Sequence, residues 1–232
     1  MNKHLLAVLV ALAAAPAGAQ TLAGGFGTLE SAVAQARTDA AASAARRTLD
    51  ETLVAMNDGP EAGGRVTAWL QENGVEVLLA KQSEAVKSGT VNGKKAILIS
   101  DALPAHPRVY APLIASEAAR GIYADMPDCG ERSYMIMATA ARAFAELGGE
   151  FRALPAIDGD KVEAVSVLIA PWTKDIQTAV YDLANRDGVP TLPDLEAKAS
   201  NPKAAQALRD QDGRFTAFLS DERDARREAV GR

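Results

Sequence analysis

The chain has 232 residues, with 25 Lys and Arg against 30 Asp and Glu, a net charge of −5, one cysteine and two histidines. An acidic balance without a basic patch excludes a nucleic-acid partner held through phosphate contacts, and the single cysteine, Cys129, excludes an internal disulfide. Both zinc-binding and nucleophilic chemistry built on histidine are restricted, because His4 lies in the first few residues and leaves His106 alone.

Residues 1–19 read as a signal peptide, in which Lys3 precedes the apolar run LLAVLVALAAA and the small residues Ala17-Gly18-Ala19 supply a cleavage point. The run is too short for a membrane-spanning helix, so the mature chain is expected to begin near Gln20. It should carry no integral membrane segment and be periplasmic or secreted, with a net charge near −6 once Lys3 is gone. Residues 20–232 are read as one domain.

A long first helix is expected over 28–57, capped by Thr28 and ended by Asn57-Asp58-Gly59. A short second helix fits EAGGRVTAWLQENG, with Val66, Trp69 and Leu70 forming its stripe and Gly74 stopping it. VEVLLAKQ and KKAILIS change the period to that of strands, and Asn92-Gly93 tolerates the positive φ angles of a hairpin turn. A small antiparallel sheet is therefore expected near 75–100. Two helices follow, PRVYAPLIASEAARGIYADMP and DCGERSYMIMATAARAFAELGGE, separated by Pro127, with Gly148-Gly149 closing the second. Further helices are expected around 160–186, interrupted at Pro171, and over 201–228 after Asn201-Pro202, with RDGVPTLPD as a loop. The fold class is α+β and helix-dominated, a small sheet followed by packed helices.

Within LIASEAARGIY, the segment Ser116-Glu117-Ala118-Ala119-Arg120 has the spacing of His-Glu-x-x-His with both histidines replaced. An apolar strand, a helix carrying this segment and a second helix opening with Glu131 resemble the minimal core of the gluzincin zinc metallopeptidases, over about residues 60–150. The resemblance implies a zincin-like core, with 151–232 as accessory helices. It puts Ser116 and Arg120 at the positions of the two histidine ligands, Glu117 at the general base and Glu131 at the third ligand. Serine is a poor zinc ligand and arginine has no lone pair to offer. The expectation is therefore no metal, no cofactor and no catalytic residue, Glu117 being a relic general base.

The function expected on these grounds is that of an exported, inactive metallopeptidase-like protein acting as a binding or structural module for a protein or peptide partner. A zinc-independent hydrolase using Glu117 and Glu131 and an unrelated helical secreted domain are the alternatives. If the site is a vacated one, the Arg120 guanidinium should replace the cation and bond Glu131, with Glu117 as second partner. Without that history, Glu117 and Arg120 form a surface pair and Asp128 with Glu131 forms a capping box. Tyr134, Met137, Ala141 and Phe144 read as core, Cys129 as a buried apolar residue and His106 as an exposed loop residue.

Overall fold

The computed structural model describes residues 26–149 and 162–230, so the signal-peptide reading of 1–19 lies outside the described residues. The chain divides into two compact units, 1–39 and 40–232. Of the first, the described part is the opening stretch of helix α1 (Phe26–Asn57); Thr28 falls inside this helix rather than at its cap.

In the second unit, Ala45, Leu49, Thr52 and Met56 of α1 are buried at alternating four- and three-residue steps, one face of the helix. The turn into α2 (Ala62–Glu72) is tight. A Cβ on Gly63 would lie 2.4 Å from the Met56 carbonyl oxygen, so only glycine lets the end of α1 approach the start of α2 this closely. Val66 and Leu70 face the core, and Gly74, at φ +60, ends the segment as its sequence predicts.

Three strands follow, β1 (Glu76–Ala80), β2 (Val86–Val91) and β3 (Lys94–Ser100), in the order β1-β3-β2. Asn92 and Gly93 have φ of 51° and 79°, the expected hairpin turn joining β2 and β3 in antiparallel register. The expectation of an antiparallel sheet is corrected by the other pair. β1 runs parallel to β3, with Val77 opposite Ile97 and Leu79 opposite Ile99, so the sheet is mixed. The physical reason lies in β3: Ala96, Ile97 and Ile99 are buried, and the most apolar strand gains most from the central place. β1 and β2 are left as its two edges.

Helix α3 (Pro107–Ile122) follows the sheet, and α4 (Gly130–Glu146) packs against it in the most extensive helix–helix contact of the fold. His106 is exposed, as expected, and it caps α3, its Nδ1 accepting the Arg108 N–H at 3.1 Å, with Pro107 at the first helical position. Most of α3 from Val109 to Ala119 is buried, as are Tyr134, Ala141 and Phe144 of α4, whereas Met137, expected in the core, is half-buried and packs against its edge.

The chain resumes with α5 (Val162–Ile169), a 3₁₀ turn at Ala170–Thr173 where Pro171 interrupts the helix, and α6 (Ile176–Asp187) capped by Asp175. A helix that was not expected, α7 (Leu192–Ala197), starts within the RDGVPTLPD segment and runs beyond it. Thr191 and Asp194 form its capping box, a spacing legible in the sequence but masked by the prolines around it. Helix α8 (Pro202–Val230) starts at Asn201-Pro202 as predicted, with Asn201 Oδ1 accepting the Ala204 N–H. Of its described side chains only Phe215 and Glu222 are buried. Val165, Ile169, Trp172, Leu183, Leu192 and Phe215 belong to the same hydrophobic cluster as α3 and α4. Among the described residues no helix is long and apolar enough to cross a membrane.

Candidate functional site

The four residues singled out by spacing do not converge on one point. Ser116 is buried within α3, and its hydroxyl donates to the Leu113 carbonyl at 2.8 Å. Glu117 faces the sheet edge: its Oε2 accepts the Ser88 hydroxyl of β2 at 2.7 Å and its Oε1 accepts the Arg120 Nε–H at 3.1 Å. The Arg120 side chain is 60% exposed and that of Glu117 is 11% exposed. The expected bond from Arg120 to Glu131 is therefore replaced by a pair one helical turn long. In water an arginine gains little from reaching further, because the solvated guanidinium needs no second carboxylate.

Glu131 looks elsewhere. It is buried at the head of α4, and its Oε2 accepts the Leu192 N–H, the first of α7, at 2.9 Å. The expected capping box is corrected too: Cys129, not Asp128, holds the cap position of α4, with no side-chain cap bond. Asp128 instead lies 3.8 Å from the Arg132 guanidinium. Burial pushes the Glu131 carboxyl above its ordinary value, against the pull of backbone N–H groups. The same burial pushes the adjacent Cys129 thiol up to about 11, and this cysteine is fully buried, as expected. A thiol held that high is not a nucleophile at neutral pH.

The best-built polar cluster lies in residues the spacing argument did not select. Glu222, 1% exposed on α8, accepts Arg142 Nη1–H at 2.7 Å on one oxygen and Trp172 Nε1–H at 2.7 Å on the other. Arg142 of α4 also pairs with Glu61 before α2. On the same side, Glu146 takes the Ala62 and Gly63 N–H groups on its two oxygens at 2.7 and 2.8 Å, filling the N-terminus of α2. The Arg65 guanidinium sits 5.2 Å from the centre of the Tyr123 ring. Glu61, Arg65, Arg142, Glu146, Trp172 and Glu222 line a groove of about 840 Å³.

Burial pushes the Glu222 carboxyl up while Arg142 pulls it down, the net direction being upward. Both of its oxygens are already bonded, and Arg142 is held between two carboxylates. The cluster is therefore a clamp rather than an acid–base pair, joining α4, the 3₁₀ turn and α8. The signals in the sequence were faint. Trp172 is one of two tryptophans, and a buried indole N–H needs an acceptor, but Glu222 in LSDERDARREA has no feature that separates it from its charged neighbours.

Among the described residues no three His, Cys, Asp or Glu side chains gather as a metal-binding group. Comparisons with protein families, with curated proteins and with solved structures find no match for this chain.

Proposed function

We propose that this chain is a catalytically inactive, metallopeptidase-like protein, exported to the periplasm or the exterior, where it serves as a binding or structural module for a protein or peptide partner. The observation that carries the reading is the chemistry at the two histidine positions of the α3 motif. One holds a buried serine bonded to its own helix, and the other an arginine neutralised by the glutamate of the same motif. Neither can supply a lone pair to zinc in competition with water. The succession of β3, α3 and α4, with a glutamate in the middle of α3 and another at the head of α4, supports the family likeness. The hydrolase alternative gains nothing from the geometry, because Glu117 and Glu131 are bonded to different elements.

Zinc titration and a peptide-hydrolysis assay on the purified protein test the reading. No stoichiometric zinc and no turnover are expected. Bound zinc that disappears in Glu131→Ala, or hydrolysis abolished by Glu117→Ala, would sink the inactive assignment. The likeness itself is tested in the Ser116→His, Arg120→His double variant. Two imidazoles one turn apart bind zinc on any helix, so the informative quantity is the loss on adding Glu131→Ala. A decrease of about tenfold or more is expected from a third ligand once the Leu192 N–H no longer holds Glu131, and equal affinities with that N–H removed would mean that α3 and α4 do not frame a vacated site.

A further inference from the structure

The head of α4 and the start of α7 exchange hydrogen bonds in both directions. Gly130 N–H donates to the Pro190 carbonyl at 3.1 Å, and Leu192 N–H donates to Glu131 Oε2 at 2.9 Å. Both partners are sealed from water, Leu192 at 1% exposure and Glu131 at 5%. A Cβ on Gly130 would come within 2.9 Å of the Val180 carbonyl of α6, so the approach of this corner to the C-terminal half requires glycine. Glu131 faces the Leu192 N–H and the Cys129 thiol, and among the described residues no Lys, Arg or His forms an ion pair with it.

We infer that Glu131 is one half of an internal latch, through which segment 190–192 occupies the carboxylate that the family likeness would assign to a metal and ties α7 and α8 to the head of α4. The inference rests in part on the reading above, since the word "occupies" has meaning only if that position once faced a cation. The latch itself stands without it. A buried carboxylate with no cation beside it is tolerable only while backbone donors face it. Segment 190–192 supplies one such donor, and Pro190 in turn satisfies the Gly130 N–H left over at the start of α4. Loss of either bond weakens the other, because both depend on the same close approach of the two segments. The relic position is thus closed twice, by replacement of the two histidines and by recruitment of the glutamate.

Amide hydrogen exchange on the full chain tests the latch. In Glu131→Ala, the Gly130 and Leu192 amides should exchange about tenfold faster or more, while amides in the middle of α4, from Ala138 to Ala141, keep wild-type protection. Glu131→Gln, whose amide oxygen can still accept, should stay close to wild type. Gly130 is the informative position, because its bond to Pro190 does not involve the Glu131 side chain. Wild-type exchange at Gly130 in Glu131→Ala overturns the latch. So does loss of protection across all of α4 at once, which would make Glu131 an ordinary part of the core.

The metal half is separated by adding Leu192→Pro to the Ser116→His, Arg120→His variant. Proline is suited to the first helical position and lacks the N–H that holds Glu131. Zinc should then bind about tenfold tighter or more than in the double variant. If the Gly130 amide opens in the triple variant and zinc affinity does not rise, the family likeness fails and the latch remains. If the triple variant does not fold, the Glu131→Ala exchange result alone decides the latch.

Discussion

Arg120 and Arg142 lie on neighbouring helices and each pairs with a glutamate, yet the two pairs do different work. Arg120 and Glu117 are three residues apart on one helix, and the arginine stands mostly in water. Arg142 and Glu222 are 80 residues apart, the arginine side chain is 14% exposed and the glutamate 1%. The first pair belongs to the motif that draws the eye in the sequence. The second holds three segments together and belongs to no motif. Ion pairs gain or lose importance with the dielectric around them, so a motif's visibility is no guide to its contribution.

Removing the buried partner should have the largest effect. Glu222→Ala removes the buried one of the two carboxylates that hold Arg142, together with the carboxylate that accepts the Trp172 indole N–H, and a loss of about 3–5 kcal/mol is expected in urea unfolding. A change below about 1 kcal/mol would show that water reaches the clamp readily. The next effect belongs to Glu146, which closes the N-terminus of α2 from α4. Glu146→Ala should destabilise by about 1–2 kcal/mol, the range for a lost cap, and should speed amide exchange at Ala62 and Gly63 before the rest of α2.

A pH series sharpens the comparison further. Burial raises the carboxyls of Glu222 and Glu131 above the ordinary 4.5, so the folded state binds these protons more tightly than the unfolded chain. Their contribution to stability is therefore fully present below pH 4.5 and declines as pH rises through the folded values, then levels off. Asp125, lowered by its bond to Arg214, acts with the opposite sign, so the difference between wild type and Glu222→Gln isolates the buried group. The variant should show a shallower decline over this window; parallel curves would mean that Glu222 is not held high in the folded state. The smallest effect is expected from Arg120→Ala. With an exposed guanidinium it should cost about 0–1 kcal/mol, and a loss of 3 kcal/mol or more would show that Arg120 does reach a buried carboxylate.

Where local physics decides, the sequence was a good guide. Helices α1, α2, α3, α4 and α8, the hairpin at Asn92-Gly93 and the break at Pro171 follow from periodicity, caps and turn residues that act over a few positions. Tyr134, Ala141 and Phe144 of the α4 stripe are buried as their spacing predicts, and Cys129 is buried as free cysteine usually is. The short helix α7 was legible in its Thr191 and Asp194 spacing but was outweighed by prolines on either side.

The parallel pairing of β1 with β3, the choice of Leu192 as partner for Glu131 and that of Arg142 and Trp172 as partners for Glu222 were decided only by tertiary structure. Each of these contacts joins positions far apart in the chain: 61 residues separate Glu131 from Leu192 and 80 separate Arg142 from Glu222. A carboxylate in a sequence carries no mark of its future surroundings. Whether it becomes a half-buried partner of an exposed arginine, as Glu117 is with Arg120, or a buried acceptor, as Glu131 and Glu222 are, depends on which donors the packed helices bring within about 3 Å and on how much water they exclude.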